Sequence, residues 1–300
     1  MAGLGRRRFL AGALAAPLAL GPRAARAAAR PFDANLATVG NSLTDESVDI
    51  VHFFARSRGG QGALGRQSIP GAPLQWNWDH AHEAYDLDGR ALLAGGGQRL
   101  WLGVESVPFR HLQGPGEPCD IRAWDRWARL AGDGGVERIG VFEAWHDLDS
   151  GRPGYVPEDR ADPDTGLRWR ERLDAARPHW AAISDRLEAR RRPGDPAVVL
   201  IPGGAALAAA HDDIARGKAP AGLGDSRDLF SDSIHPNLAG RYYMACVMFA
   251  CLYRSSPEGL PVAPRDRHGN PMGRVPPPLA AYFQRRAWQV ARAEPRAGLS

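Results

Sequence analysis

Apolar residues in this chain fall into two patterns: short runs of four to nine residues, and longer stretches where they recur every three or four positions. The runs lie at 36–39, 64–69, 99–104, 136–144 and 197–201, each with a Gly or Pro within two positions of an end. Their length suits strands buried on both faces. The periodic stretches lie at 48–55, 74–85, 121–131, 169–191, 205–216 and 238–253, with a break expected at Pro178 in the fourth. Five β-α alternations predict an α/β fold, a mostly parallel five-stranded sheet with helices on both faces, as a three-layer α/β/α sandwich.

The last of these helices, 238–253, is apolar nearly all round, so Tyr242, Met244, Cys246 and Phe249 read as core. A proline-rich link, 261–278, leads to a final helix, 279–293, that docks on the main domain or on a partner.

The first 27 residues stand apart. Arg6-Arg7-Arg8-Phe9-Leu10 is a basic region, 11–20 is mildly apolar, and Ala25-Arg26-Ala27 is a small-residue cleavage site. Paired arginines followed by x-Phe-Leu look like a twin-arginine export signal, which makes the export machinery an expected partner and the periplasm or exterior the expected location. The apolar run is too short to span a bilayer. The expected division is therefore 1–27 leader, 28–260 main domain, 261–300 link and terminal helix.

Removing the leader changes the charge. Its five arginines exceed the whole chain's net charge of +4, leaving the remainder near −1. No basic stripe interleaved with aromatics argues for nucleic acid, and no membrane association is expected of the mature form. Three cysteines are an odd set: Cys246 and Cys251 share one apolar helix at a spacing unsuited to a mutual disulfide and read as core, and Cys119 as a loop thiol. No zinc spacing occurs, His80-x-His82 reads as a solvated helical face, and no cofactor is expected.

The candidate chemistry begins at Gly40-Asn41-Ser42-Leu43-Thr44, where the first strand gives way to the first helix. A serine there stands at the sheet's carboxyl edge, beside helix amides suited to a developing negative charge. Far along the chain is Phe230-Ser231-Asp232-Ser233-Ile234-His235-Pro236-Asn237. An aspartate three residues before a histidine can meet one ring nitrogen in a single turn, leaving the other to face a hydroxyl. His146, followed by Asp147, is a rival base, but adjacent loop residues rarely aim at each other.

Together the two stretches resemble the first and last blocks of the SGNH/GDSL hydrolase family, spanning most of the mature chain. The resemblance implies a flavodoxin-like sheet, Ser42 as nucleophile, His235 as base and Asp232 as its orienting carboxylate. It further implies an oxyanion hole built from the Ser42 amide, a glycine amide after the second strand, for which Gly71 is the local match, and an asparagine after the third. The chain departs from the pattern at the last position, because its third strand ends Gly103-Val104-Glu105-Ser106. Glu105 then faces the substrate space, donating only if protonated or through Ser106; Asn77 is the other substitute. Asn41 stands where the family has aspartate.

The fourth strand should end at the same edge, so Trp145 and His146 are expected at the pocket, with Trp76 and Trp78 as flat surfaces for a sugar ring. Three functions fit: a secreted serine esterase acting on acyl esters, including carbohydrate esters; an acyltransferase with the same serine chemistry; and a non-catalytic carbohydrate- or envelope-binding protein on a degenerate scaffold.

Overall fold

The computed structural model describes residues 31–106, 119–156 and 166–299. The leader expected at 1–27 lies outside the described residues. Five strands, β1 (Leu36–Gly40), β2 (Leu64–Ser68), β3 (Leu100–Val104), β4 (Arg138–Phe142) and β5 (Ala197–Ile201), form one sheet in the order β2-β1-β3-β4-β5. Every pairing is parallel. This is the flavodoxin-like order, in which the chain winds outward in both directions from β1 and β3 and leaves a crevice at their carboxyl ends. Ser42 follows β1 and Glu105 follows β3, so both belong to that crevice's rim.

Helices cover both faces. On one, α1 (Asp45–Ser57), α7 (Leu238–Tyr253) and α8 (Pro277–Ala293) pack together; on the other lie α2 (Leu74–Asp79), α3 (Gly89–Ala94), α4 (Cys119–Asp133) and α5 (Trp169–Ala189). The remaining helix, α6 (Gly203–Ala215), sits at the β5 side against α5, α7 and α8. The terminal helix is therefore integral to the domain, burying Leu279, Ala280, Phe283, Ala287 and Ala291. No described helix is long and apolar enough to cross a membrane.

Four local expectations need correction. The helix expected over 74–85 stops at Asp79, because His80 leaves helical geometry (φ −124, ψ 37) and turns its ring back onto Trp76. The helix over 169–191 is unbroken at Pro178: that residue is exposed, so water can satisfy the backbone carbonyl it leaves unpaired. The short α3 lies outside the expected helices, and Asp88 caps it by accepting from the amides of Arg90 and Ala91. Cys119 opens α4 and is not in a loop. Cys246 and Cys251 are free and buried, with burial holding both thiols above their usual range.

At the end of β4, Glu143 is a buried carboxylic acid that accepts from the Ala205 amide at 2.9 Å, with Arg177 3.9 Å away. Burial pushes its pKa up to about 7, against the smaller opposing effects of the Ala205 amide and Arg177. A carboxyl raised in the folded state stabilises it below the unfolded value and loses that stabilisation as pH rises through the folded value. Between the ordinary glutamate value and about pH 7, stability should thus fall by on the order of 3 kcal/mol. Glu143→Gln should flatten this slope in urea titrations; an unchanged slope would assign it to another group.

Candidate active site

Asn41 shapes the turn that carries Ser42. Its Oδ1 accepts from the Leu43 amide at 3.2 Å, and its Nδ2 donates to the Ala72 carbonyl at 3.3 Å. The first bond is an Asx turn that bends the chain toward α1. The second ties the end of β1 to the turn after β2, already adjacent because Gly40 pairs with Ser68 and the Ile69 amide donates to the Gly40 carbonyl at 3.1 Å. An aspartate here would have no N–H to donate to Ala72, so this bond needs the asparagine amide. Gly40 itself is required by space: a Cβ there would meet the Val104 Cβ at 2.5 Å.

In the turn after β2, the Ala72 amide donates to the Ile69 carbonyl at 3.1 Å, Pro70 leads, and Gly71 has φ +67. That left-handed position favours glycine. The amides of Ser42 and Gly71 donate to no described residue, whereas that of Leu43 is taken by Asn41. They are thus two candidate oxyanion donors on adjacent turns stapled by Asn41.

The far end of the chain completes the arrangement. Ser42 Oγ lies 3.0 Å from His235 Nε2, and His235 Nδ1 lies 2.8 Å from Asp232 Oδ2. An ionised carboxylate only accepts, so the ring proton sits on Nδ1 and Nε2 turns its lone pair to the serine hydroxyl. The other carboxylate oxygen accepts from the amides of Ile234 and His235 at 2.8 and 2.7 Å. Burial would raise the Asp232 pKa, but these two amides and the imidazole outweigh it and hold it at about 2. Asp232 remains ionised across the ordinary working range.

Two neighbours fix this turn. Asn237 caps α7 by accepting from the amides of Ala239 and Gly240, so the chain beyond His235 enters a buried helix directly. The segment after β4 grips it from the other side. Trp145 Nε1 donates to the Ile234 carbonyl at 2.8 Å, the Leu148 amide donates to the Ser233 carbonyl at 2.7 Å, and Ser233 Oγ donates to Asp147 Oδ2 at 2.5 Å.

Several expected site residues take different places. Trp145 is fully buried between Phe142 and Phe230, so it supports the histidine turn from beneath and does not line a substrate surface. Glu105 is also fully buried, and its Oε1 accepts from the amides of Leu74 and Ser106, both at 3.0 Å. It caps the first turn of α2 from the end of β3, where a carboxylate is favoured by the helix dipole. Asn77 donates to the carbonyls of Ala72 and Pro73 and accepts from Gln67, so its amide serves the turn. Trp78 is covered by the Arg126 guanidinium and packs edge-on against Trp127. The Ser42 hydroxyl meets His235, the expected base, while the His146 carbonyl accepts from Trp169 Nε1. His80 and His82 have ring centres 6.1 Å apart, and no group of three potential metal ligands occurs among the described residues.

Trp145→Phe keeps a ring but removes the N–H donor, leaving the Ile234 carbonyl unpaired in a partly buried position. Urea denaturation should show a loss of about 1–2 kcal/mol, with broadening of the His235 Nδ1 proton resonance. Unchanged stability and linewidth would make the indole bond incidental.

No family model matches the chain, and no curated protein matches it by sequence. Its fold is similar to the crystal structure of a DUF4886 family protein from Bacteroides uniformis ATCC 8492, with a TM-score of 0.60 at 14% identity, covering 88% of this chain and 96% of that one. That likeness concerns the fold alone.

Proposed function

We propose that this protein is a secreted serine esterase, a divergent relative of the SGNH/GDSL hydrolases, that cleaves acyl esters through an acyl-serine. The observation that carries the reading is the continuous relay from Ser42 Oγ through His235 to Asp232, at 3.0 and 2.8 Å. Ser42 Oγ attacks the ester carbonyl carbon while its proton passes to His235 Nε2, and Asp232 stabilises the resulting imidazolium. The oxyanion takes the amides of Ser42 and Gly71. Collapse breaks the bond to the alcohol oxygen, which leaves with the proton from His235. Water, deprotonated by the same ring, then attacks the acyl carbon, and collapse breaks its bond to Ser42 Oγ, which takes the proton back from His235 as the acid leaves.

Hydrolysis is favoured over transfer to a second alcohol by exposure: the His235 side chain is 38% accessible, so water reaches the base directly. The test is incubation with a chromogenic short-chain acyl ester and, separately, with a fluorophosphonate followed by peptide mapping. Turnover together with a label on Ser42 supports the esterase. A label without turnover points to a transferase, and the absence of both points to a binding protein on the same scaffold.

A further inference from the structure

The segment between the Gly71 turn and α3 carries an exposed aromatic surface that the proposed hydrolysis does not use. Four large hydrophobic residues are exposed among the described residues, and three of them, Trp76, Tyr85 and Leu87, lie on this segment. It belongs to the active edge of the sheet. Asn41, next to Ser42, bonds to the Ala72 carbonyl just before α2, and the Tyr85 amide donates to the carbonyl of Ser68, the partner of Gly40.

Trp76 is held as a platform. The His80 ring stacks on it with centroids 3.7 Å apart and an interplanar angle of 11°, and its Nε1 donates to Glu83 Oε2 at 2.9 Å. One face is therefore blocked and the N–H satisfied, while 44% of the residue remains exposed. A flat, apolar face already fixed in orientation loses little freedom when a ligand settles on it. Glu83 stands beside it as a hydrogen-bonding group, and on the same segment Tyr85 is 71% exposed with no bond to its hydroxyl among the described residues.

We infer that the Trp76 platform, with Tyr85 exposed on the same segment, seats a sugar of an acylated saccharide chain, which makes carbohydrate the alcohol portion of the ester. A pyranose offers an apolar C–H face to stack on an indole and a rim of hydroxyls to meet polar neighbours, the same combination in mirror. An acyl lipid fits less well, because Leu87 is the one exposed aliphatic residue among the three. The exposure of the relay agrees: with Asp232 and His235 side chains 55% and 38% accessible, a chain can lie across the site without entering a tunnel. The placement of the ester beside Ser42 rests on the esterase reading; the binding surface does not.

The experiment uses the full-length chain carrying Ser42→Ala, which removes turnover, and a panel of O-acetylated β-1,4-linked hexasaccharides of glucose, xylose and N-acetylglucosamine, titrated by calorimetry. At least one should bind. Trp76→Ala should weaken it about tenfold, Trp76→Phe should restore most of the loss by keeping a flat ring, and Tyr85→Ala should reproduce part of it. Absence of binding across the panel overturns the inference, as does binding indifferent to Trp76→Ala. So does co-sedimentation with neutral phosphatidylcholine vesicles that is lost in Trp76→Ala. Turnover of a chromogenic ester by the unsubstituted protein without any saccharide binding leaves the esterase standing and removes the platform. Saccharide binding without turnover of any ester does the reverse.

Discussion

Ser42→Ala is expected to lower kcat for a short-chain acyl ester by about a millionfold, to the residual rate that oxyanion donors and binding supply alone. The loss is large because the hydroxyl is the group of this residue that reacts, and because it is the hydroxyl that His235 Nε2 meets, at 3.0 Å. Folding should be unaffected. The substitution removes one partly exposed oxygen and leaves the Asn41 bonds to Leu43 and Ala72 in place. Fluorophosphonate labelling should vanish in the same variant. Retained turnover with a normal thermal transition would remove Ser42 from the chemistry, and the esterase proposal with it.

Asp232→Asn is expected to cost about ten-thousandfold in kcat with the fold intact. One carboxylate oxygen accepts from the amides of Ile234 and His235 and the other from His235 Nδ1. An asparagine keeps its carbonyl on the two amides and so turns its NH2 toward the ring. Nδ1 must then accept, which moves the proton to Nε2 and leaves no lone pair for the serine. The low-field proton resonance of His235 Nδ1 should disappear together with activity. A loss under about tenfold would mean that another group sets the tautomer. Because Asp232 is held at about 2, the acid limb of the wild-type pH profile should not report its titration.

The two turns that carry the relay were legible for a local reason. A strand followed by Gly-x-Ser, and an aspartate three residues before a histidine, each encode their geometry within a few positions. The observed Asp232 to His235 contact is closed inside one turn. The supporting residues were less legible because their roles depend on partners remote in sequence. Trp145 reads as a pocket aromatic beside a strand end, yet it reaches the carbonyl of Ile234, 89 positions away. Glu105 reads as a substitute donor, yet it caps a helix that begins 31 positions earlier. Trp76 and Trp78 look alike in sequence, two positions apart; only the arrangement of His80 under one and Arg126 over the other separates them.

The sequence pattern alone determined that this chain makes five short strands alternating with helices, since segments too short for a stable helix and bounded by Gly or Pro favour strands. It also determined that a serine and a histidine stand at strand-end and helix-start positions. The tertiary structure decided the strand order, the meeting of residues 193 positions apart, and which aromatics face inward. Those outcomes depend on which surfaces exclude water from one another once helices pack on a twisted sheet, and a linear pattern carries no record of that choice.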